Sequence, residues 1–261
     1  MNWNVIRHIV EVEIREEAQT SAILGSKALI SIFVVTFFAK EILLSEAGSG
    51  NPPYVMLLSI SNTFMLLIPI VAAIITYESI VREKQSGTLR LALSVPYSRS
   101  DVLAGKLIAK YGLTLAAFAI PLIIIIAGIL YFEALFLKIS LFVIFTLWLI
   151  FIFVSVSLTV SVYTTTTRQA LASCLGIVIA NLFIWPLAVS AVSLLYGFNK
   201  IILDCLLMFS ATESYISLLS TIIDPSKSGS ILVTGFALVS LCMWTIFPTI
   251  LSIRVLNRID V

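Results

Sequence analysis

Six stretches of apolar residues, separated by short polar segments, take up most of the chain. A transmembrane helix needs about 20 mostly apolar residues, and each stretch reaches that length. Because water does not reach the backbone inside a bilayer, spans of this kind must be helices. We therefore predict an all-α membrane protein that forms a single domain over residues 1–261, with six transmembrane helices. The predicted spans are about 23–44, 54–81, 107–132, 139–163, 171–196 and 231–253.

Composition supports a membrane protein, since 60% of the residues are hydrophobic and only 11% are charged. A soluble domain usually carries about a quarter of charged residues. The six spans and their short connections also leave no room in 261 residues for a soluble catalytic domain. The net charge of +2 does not indicate a nucleic-acid partner, because the basic residues separate by membrane side.

The basic residues predict the orientation of the chain, since lysine and arginine collect in cytoplasmic loops. One side of the predicted membrane has only Lys40, Lys138, Lys200 and Lys227. The other side has twelve basic residues: Arg7, Arg15, Lys27, Arg82, Lys84, Arg90, Arg99, Lys106, Lys110, Arg168, Arg254 and Arg258. We predict a multi-pass protein of the cell membrane with both termini and the loop 82–106 in the cytoplasm.

Residues 1–20 have the pattern of an amphipathic helix. Val5, Ile6, Ile9, Val10 and Glu13 recur at helical spacing, and the opposite face is charged. Such a helix lies along a membrane surface with its apolar face in the interface. We predict an N-terminal interfacial helix on the inner leaflet, and no cleavable signal, because the apolar core of one is missing.

The external segment 197–230 contains two apolar runs, 201–209 and 215–223, that are each too short to span a bilayer. A polar break separates them, and in it Thr212 or Ser214 could cap the second run. We predict a re-entrant helical hairpin that enters from outside, immediately before the last span.

Most polar residues inside the spans are mild ones, namely Asn62, Thr63, Asn181 and many serines and threonines. Asn62 and Asn181 are predicted to hydrogen-bond between helices. Ion-coupled carriers and voltage sensors usually need rows of charge at membrane depth, and the spans have none. The three cysteines have no spacing typical of metal ligands, so no metal site is predicted.

The polar loop 82–106 has a defined local pattern. Ser86 and Gly87 interrupt the helix that leaves the second span, since glycine loosens helical backbone. A short helix is predicted over 88–94, and Pro96 ends it. Ser98 and Asp101 then have the spacing of a capping box, which predicts the start of the next helix. The loop is therefore predicted to be a rigid elbow between two spans.

This loop resembles the first cytoplasmic loop of ABC-2 type transporter permeases. Those proteins similarly have six spans, cytoplasmic termini, an amphipathic N-terminal helix and a re-entrant hairpin before the last span. The basic residues Arg254 and Arg258 also resemble the tail that follows the last span there. The residues that carry the resemblance in the loop are Glu83, Gly87, Thr88, Leu89, Leu93, Pro96, Ser98 and Arg99, followed by Gly105 and Lys106.

The resemblance implies a permease subunit of an ABC transporter that works as an exporter. The loop would form a cytoplasmic coupling helix that docks on a separate ATP-binding cassette ATPase. Two permeases, identical or paralogous, would complete the unit within the lipid bilayer. This chain lacks the G-x-x-x-x-G-K-[ST] phosphate loop, so it is not expected to be an enzyme. No cofactor is expected in it, since ATP and Mg²⁺ would bind the ATPase.

Two other classes of membrane protein are intramembrane proteases and passive channels or scaffolds. An intramembrane protease needs a base within reach of a nucleophile, or two aspartates, at membrane depth. The single histidine, His8, precedes the first span, and no aspartate lies inside a span, which excludes this class. A passive channel or a membrane scaffold without ATP coupling is the alternative left open. The substrate does not follow from the sequence.

Overall fold

The computed structural model describes residues 3–17, 25, 53–88, 98–131, 136–223 and 231–256, and all regular structure in these ranges is helical. The predicted first span, 23–44, and residues 89–97 of the polar loop therefore lie outside the described residues. The α-helices are α1 Trp3–Glu17, α2 Pro53–Thr76, α3 Val81–Ser86, α4 Arg99–Tyr131, α5 Phe136–Tyr163, α6 Thr167–Ile179, α7 Trp185–Tyr196, α8 Lys200–Leu207, α9 Ala211–Ile223 and α10 Ile231–Leu256. A π-helical segment, Ala180–Ile184, joins α6 to α7.

Several of these helices could cross a membrane. The short helices α8 and α9 are bent by 119° at their junction and would count as one more candidate if taken together. Within the described ranges, five stretches are long and apolar enough on their own: Leu57–Ser86, Arg99–Ile123, Leu137–Tyr163, Thr167–Tyr196 and Ile231–Leu256. The all-helical fold with five to six candidate spans is thus confirmed, while the membrane limits of each span stay predictions.

Helix α5 is the centre of the bundle and packs against α2, α4, α6, α9 and α10. A fully buried aromatic cluster joins three of these helices. The Phe64 ring of α2 lies 5.6 Å from Phe118 of α4, edge to face, and 5.9 Å from Phe142 of α5, stacked. These centroid distances are in the range in which aromatic pairs stabilise a core beyond the area they bury.

Helix α9 is packed inside the bundle against α2, α5 and α10. Tyr215 is fully buried, and its hydroxyl is hydrogen-bonded to Thr146 Oγ1 of α5 at 3.0 Å. At the other end of α9, Lys138 Nζ donates to the carbonyl oxygen of Ile223 at 2.7 Å. Side chains of α5 therefore hold α9 at two points along its length.

The turn between α8 and α9 is held by Asn181. Its Oδ1 accepts hydrogen bonds from Ser210 Oγ at 3.0 Å, from Thr212 Oγ1 at 3.0 Å and from Thr212 N at 3.3 Å. The predicted bonding of Asn181 between helices is confirmed. The same prediction for Asn62 is wrong, because Asn62 is exposed and its Nδ2 donates to Leu58 O, one turn back in its own helix.

The cap of α9 also differs from the prediction. The helix begins at Ala211, and Ser210 Oγ accepts from the backbone N–H of Glu213 at 3.4 Å, as an N-cap does. Thr212 and Ser214 are buried and bond elsewhere, Ser214 Oγ to the carbonyl oxygen of Met208 at 2.6 Å. The expectation that Thr212 or Ser214 caps this helix is wrong because both lie inside its first turn.

The π-helical segment places Asn181 in its position at the turn. Pro186 follows the segment and has no backbone N–H to donate to a residue four positions earlier. The N–H of Trp185 bonds instead to Ala180 O, five residues back, which widens the helix locally. Such widened turns redirect the side chains that they contain.

Helix α1 lies directly against α4 at a glycine. A Cβ placed on Gly105 would lie 2.9 Å from Ile9 Cγ2 and 3.5 Å from the carbonyl oxygen of Ile6. This approach requires the absence of a side chain at position 105, since real Cβ atoms do not come that close.

We expect Gly105→Ala to lower stability by about 1–3 kcal/mol, because α1 must move to admit the methyl group. The matched control is Gly112→Ala on the same helix, where a Cβ would meet nothing within 4 Å. There, alanine should raise stability by up to about 1 kcal/mol through helix propensity. Thermal unfolding in detergent compares the two variants, and equal shifts would contradict the proposed close packing.

Candidate functional site

The candidate site is the polar loop between α2 and α4, of which the structure describes both ends. Glu83, Gly87 and Thr88 lie at its start, and Ser98 and Arg99 at its end. The remaining three predicted site residues, Leu89, Leu93 and Pro96, lie outside the described residues.

A cluster of four charges, here the charge cluster, forms at the base of the loop from two buried lysines and two partly exposed glutamates: Lys106, Lys110, Glu13 and Glu83. Lys106 Nζ lies 2.8 Å from Glu83 Oε1 and 3.0 Å from Glu13 Oε2. Lys110 Nζ lies 3.5 Å from Glu13 Oε1. The two lysines are 3% and 0% exposed, so their charges depend on the carboxylates for compensation. The charge cluster is balanced and links α1, α3 and α4.

Helix α3 is hydrogen-bonded to the C-terminal end of α5. Lys84 Nζ donates to the carbonyl oxygen of Val162, and Gln85 Nε2 donates to that of Thr165 at 3.3 Å. The last carbonyl groups of a helix have no partner within it. The side chains of α3 thus satisfy acceptors at the end of α5 and in the turn that follows.

The start of α3 is held by the same neighbour. Ser161 Oγ accepts hydrogen bonds from the backbone N–H groups of Ile80 at 3.0 Å and Val81 at 3.1 Å. The chain therefore leaves α2 through a turn over residues 77–80, which the sequence pattern did not predict. The turn depends on tertiary structure, because the Ser161 hydroxyl of α5 takes the place of acceptors within the helix.

Two local features fix where the chain enters and leaves the loop. Gly87 follows α3 with φ +76°, a left-handed conformation that favours glycine, and its N–H bonds to Lys84 O at 3.4 Å. At the other end, Ser98 Oγ accepts from the N–H of Asp101 at 3.1 Å and so caps α4. The predicted helix break at Gly87 and the capping by Ser98 are both confirmed.

Arg99 connects the loop to the last helix. Its Nη1 donates to the carbonyl oxygen of Leu256 at 2.8 Å, at the end of α10. A cation at the C-terminal end of a helix is also favoured by the helix dipole. The loop ends are thus bonded to α1, α5 and α10, three helices beyond the two that flank the loop.

Sequence reasoning did not identify Glu13, Lys84 and Ser161 as parts of this site. One signal was present, since Glu13 lies at helical spacing with the apolar residues of α1 rather than on its charged face. A carboxylate on an apolar stripe requires a buried cation, and Lys106 and Lys110 supply it here. No comparable signal marked Lys84 or Ser161, whose partners are backbone groups.

The chain is similar to known transporter proteins. The profile of the family described as "ABC-2 family transporter protein" matches residues 9–261. The chain is 33% identical over 89 residues to a "Probable ABC transporter permease protein NosY" of Pseudomonas aeruginosa, covering 34% of this chain and 31% of that protein. It is 28% identical over 118 residues to a protein of the same description from Stutzerimonas stutzeri, covering 44% and 40%.

These alignments span only about a third to two fifths of the length of the two relatives. The family match, in contrast, covers nearly the whole chain and agrees with five to six candidate spans. The protein therefore belongs to the ABC-2 transporter family and is a multi-pass transmembrane ABC transporter permease.

Proposed function

We propose that this permease couples ATP hydrolysis by a separate ATP-binding cassette subunit to the outward movement of a substrate across the cell membrane. The observation that carries the proposal is the bonding of the polar loop, whose two ends contact α1, α5 and α10. A force applied to residues 89–97 would therefore reach much of the helix bundle. ATP and Mg²⁺ would bind the partner subunit, and the permease would hold no cofactor and catalyse no reaction itself.

Each predicted site residue has a place in this coupling loop. Leu89 and Leu93 would present an apolar face to the ATPase, and Gly87 with Thr88 and Pro96 would set the ends of the coupling helix. Ser98 starts α4, so that a rotation of the loop turns α4 with it. Glu83 and Arg99 would transmit the motion through the charge cluster and through Leu256.

The proposed topology places both termini and the coupling loop in the cytoplasm. Helix α1 would lie along the inner leaflet, with Val5 and Ile6 packed on the protein and Trp3 exposed to the interface. Helices α8 and α9 would form a hairpin that re-enters from outside, in agreement with their 119° bend and the burial of α9. The membrane limits of the spans and the interfacial position of α1 belong to this proposal.

The outward faces of α7 and α10 suit lipid and a second permease subunit, identical or paralogous. Leu194, Leu195, Phe236 and Val239 are all more than half exposed, and all are apolar. A passive channel or scaffold remains the second candidate function, and it differs from a transporter in needing no ATPase.

The test is affinity purification of the full chain in mild detergent. We expect a stoichiometric partner with a phosphate loop and ATPase activity. A chain that purifies alone, or only with copies of itself, would contradict ATP coupling and favour the channel or scaffold.

We further expect Leu89→Asp or Leu93→Asp to reduce ATPase retention at least tenfold, because a carboxylate buried unpaired at an interface costs a few kcal/mol. Leu89→Met keeps the apolar face and serves as the control. A quantitative pull-down measures retention, and membrane insertion of each variant is checked separately. Normal retention of the ATPase by both aspartate variants would contradict the coupling-helix assignment.

A further inference from the structure

Helix α9 has two faces of different character. One face is fully buried in the bundle and includes Tyr215, Leu218 and Leu219. The other is only partly buried, so the bundle leaves it half open. The half-open face, here the polar strip, consists of Glu213, Ile216, Ser217, Ser220 and Thr221, which share one side of a helix at a period of 3.6 residues. Four of these five residues are polar.

The polar strip runs from the outer end of the bundle towards its middle. Ile223, at the end of α9, is bonded to Lys138, the third residue of α5, at the predicted external end of that span. Glu213 lies ten residues before Ile223, which is about 15 Å along an α-helix. The hydrocarbon core of a bilayer is about 30 Å thick, so Glu213 lies near its midplane in the proposed topology.

The carboxylate of Glu213 has no counter-charge in the part of the chain that the structure describes, where the ion pairs involve other residues. Ser210 and Glu213 have the spacing of a capping box, in which the glutamate would bond back to the Ser210 N–H. Only half of that arrangement is observed, in which the Glu213 N–H donates to Ser210 Oγ. The carboxylate is therefore not used as a cap among the described residues.

The polar strip does not have the character of a lipid-facing surface. The exposed positions of α7 and α10 include Leu187, Leu194, Val239 and Phe247, and all of these are apolar. Ionisable side chains at membrane depth are costly in lipid, and they face a bundle interior or a water-filled path. The contrast between these helices assigns the polar strip to an aqueous path rather than to lipid.

We propose that the polar strip lines the outer half of the transport path and that Glu213 binds a monovalent organic cation, such as an ammonium group, at its inner end. The inference rests on the proposed transport function and adds a class of substrate to it. An organic cation is favoured over a divalent metal ion, because hard metal ions take several charged oxygen ligands. No group of three metal-ligating side chains occurs in the described ranges, and the nearest residues to Glu213 on the strip are Ile216 and the hydroxyl residue Ser217.

The test is equilibrium binding of radiolabelled tetraphenylphosphonium to the full-length permease in lipid nanodiscs, without the ATPase. We expect Glu213→Gln to weaken binding at least tenfold and Glu213→Asp to retain most of it. Glu11→Gln, which removes an exposed carboxylate on α1, should leave binding unchanged. The anion tetraphenylborate, of the same size, should not compete.

Equal binding of tetraphenylphosphonium to the unchanged protein and to Glu213→Gln would overturn the proposal. So would a loss of thermal stability in Glu213→Gln that Glu213→Asp restores, since it would show that the carboxylate serves a structural ion pair. Copurification of the ATPase with Glu213→Gln tests the coupling function separately, because Glu213 and the coupling loop lie far apart. If Glu213→Gln still copurifies with the ATPase and binds the cation as tightly as the unchanged protein does, only the cation site is rejected.

Discussion

Replacing Lys106 with methionine is expected to lower the free energy of unfolding by about 3–5 kcal/mol, because Glu13 and Glu83 would remain in the structure without their shared cation. The Glu13 side chain is 14% exposed and that of Glu83 is 30% exposed, so water can screen neither carboxylate fully. Methionine has nearly the length of lysine, which limits the contribution of lost packing. The midpoint of thermal unfolding in detergent measures the effect.

The matched control is Arg7→Met on α1. Arg7 pairs with Glu11 at 2.9 Å, but the two side chains are 75% and 60% exposed. An exposed pair of this kind contributes at most about 0.5 kcal/mol. Similar unfolding midpoints for Lys106→Met and Arg7→Met would contradict the view that the charge cluster is a buried, mutually dependent unit.

A double variant separates stability from transmission of force. Combining Lys106→Met with Glu83→Gln removes one charge of each sign and leaves Glu13 paired with Lys110 at 3.5 Å, and neutral replacements of buried ion pairs are often as stable as the original. We expect this variant to fold and to retain the ATPase, while it transports less substrate per ATP hydrolysed. An unchanged transport-to-hydrolysis ratio would assign the charge cluster a purely structural role.

The second large effect is expected at Asn181. Asn181→Ala removes the acceptor shared by Ser210 and Thr212 and leaves the buried backbone N–H of Thr212 without its partner, whereas Ser210 Oγ keeps its bonds to the backbone carbonyl at position 181 and to Thr212 Oγ1. A buried donor without a partner costs about 1–3 kcal/mol, and we expect a loss in this range. Thermal unfolding in detergent measures this loss.

Asn62→Ala is the matched control, since the same amide is removed from an exposed position. Among the described residues, Asn62 bonds within its own helix, to Leu58 O, and surface substitutions usually change stability by less than about 0.5 kcal/mol. A loss of stability at Asn62 as large as that at Asn181 would contradict the view that the buried hydrogen bonds of Asn181 stabilise the α8–α9 turn.

Much of the architecture could be predicted because membranes impose simple rules on composition and length. Apolar stretches of about 20 residues must be helices, and this alone led to an all-helical chain with several candidate spans. Local backbone chemistry was also sufficient at the polar loop. Gly87 ends α3 in a left-handed conformation, and Ser98 caps α4, as their residue types predict.

The sequence alone could not show which residues of the candidate site meet. Glu13 and Lys106 are separated by 93 positions, and Lys84 reaches the carbonyl of Val162, 78 positions away. A hydropathy pattern reports only local composition, so it carries no information on such pairs. The turn at residues 77–80 has the same origin, since Ser161 of another helix supplies the acceptor.

The two asparagines show the physical reason most directly. In a soluble helix, the apolar stripe identifies the buried side, because the opposite side faces water. In a membrane helix both sides are apolar, since lipid and protein interior have similar polarity. The sequence by itself therefore determined that Asn62 and Asn181 lie in helices of a membrane protein. Only the packing of the helices decided that Asn181 turns inwards to hold the α8–α9 turn, while Asn62 turns away from the bundle.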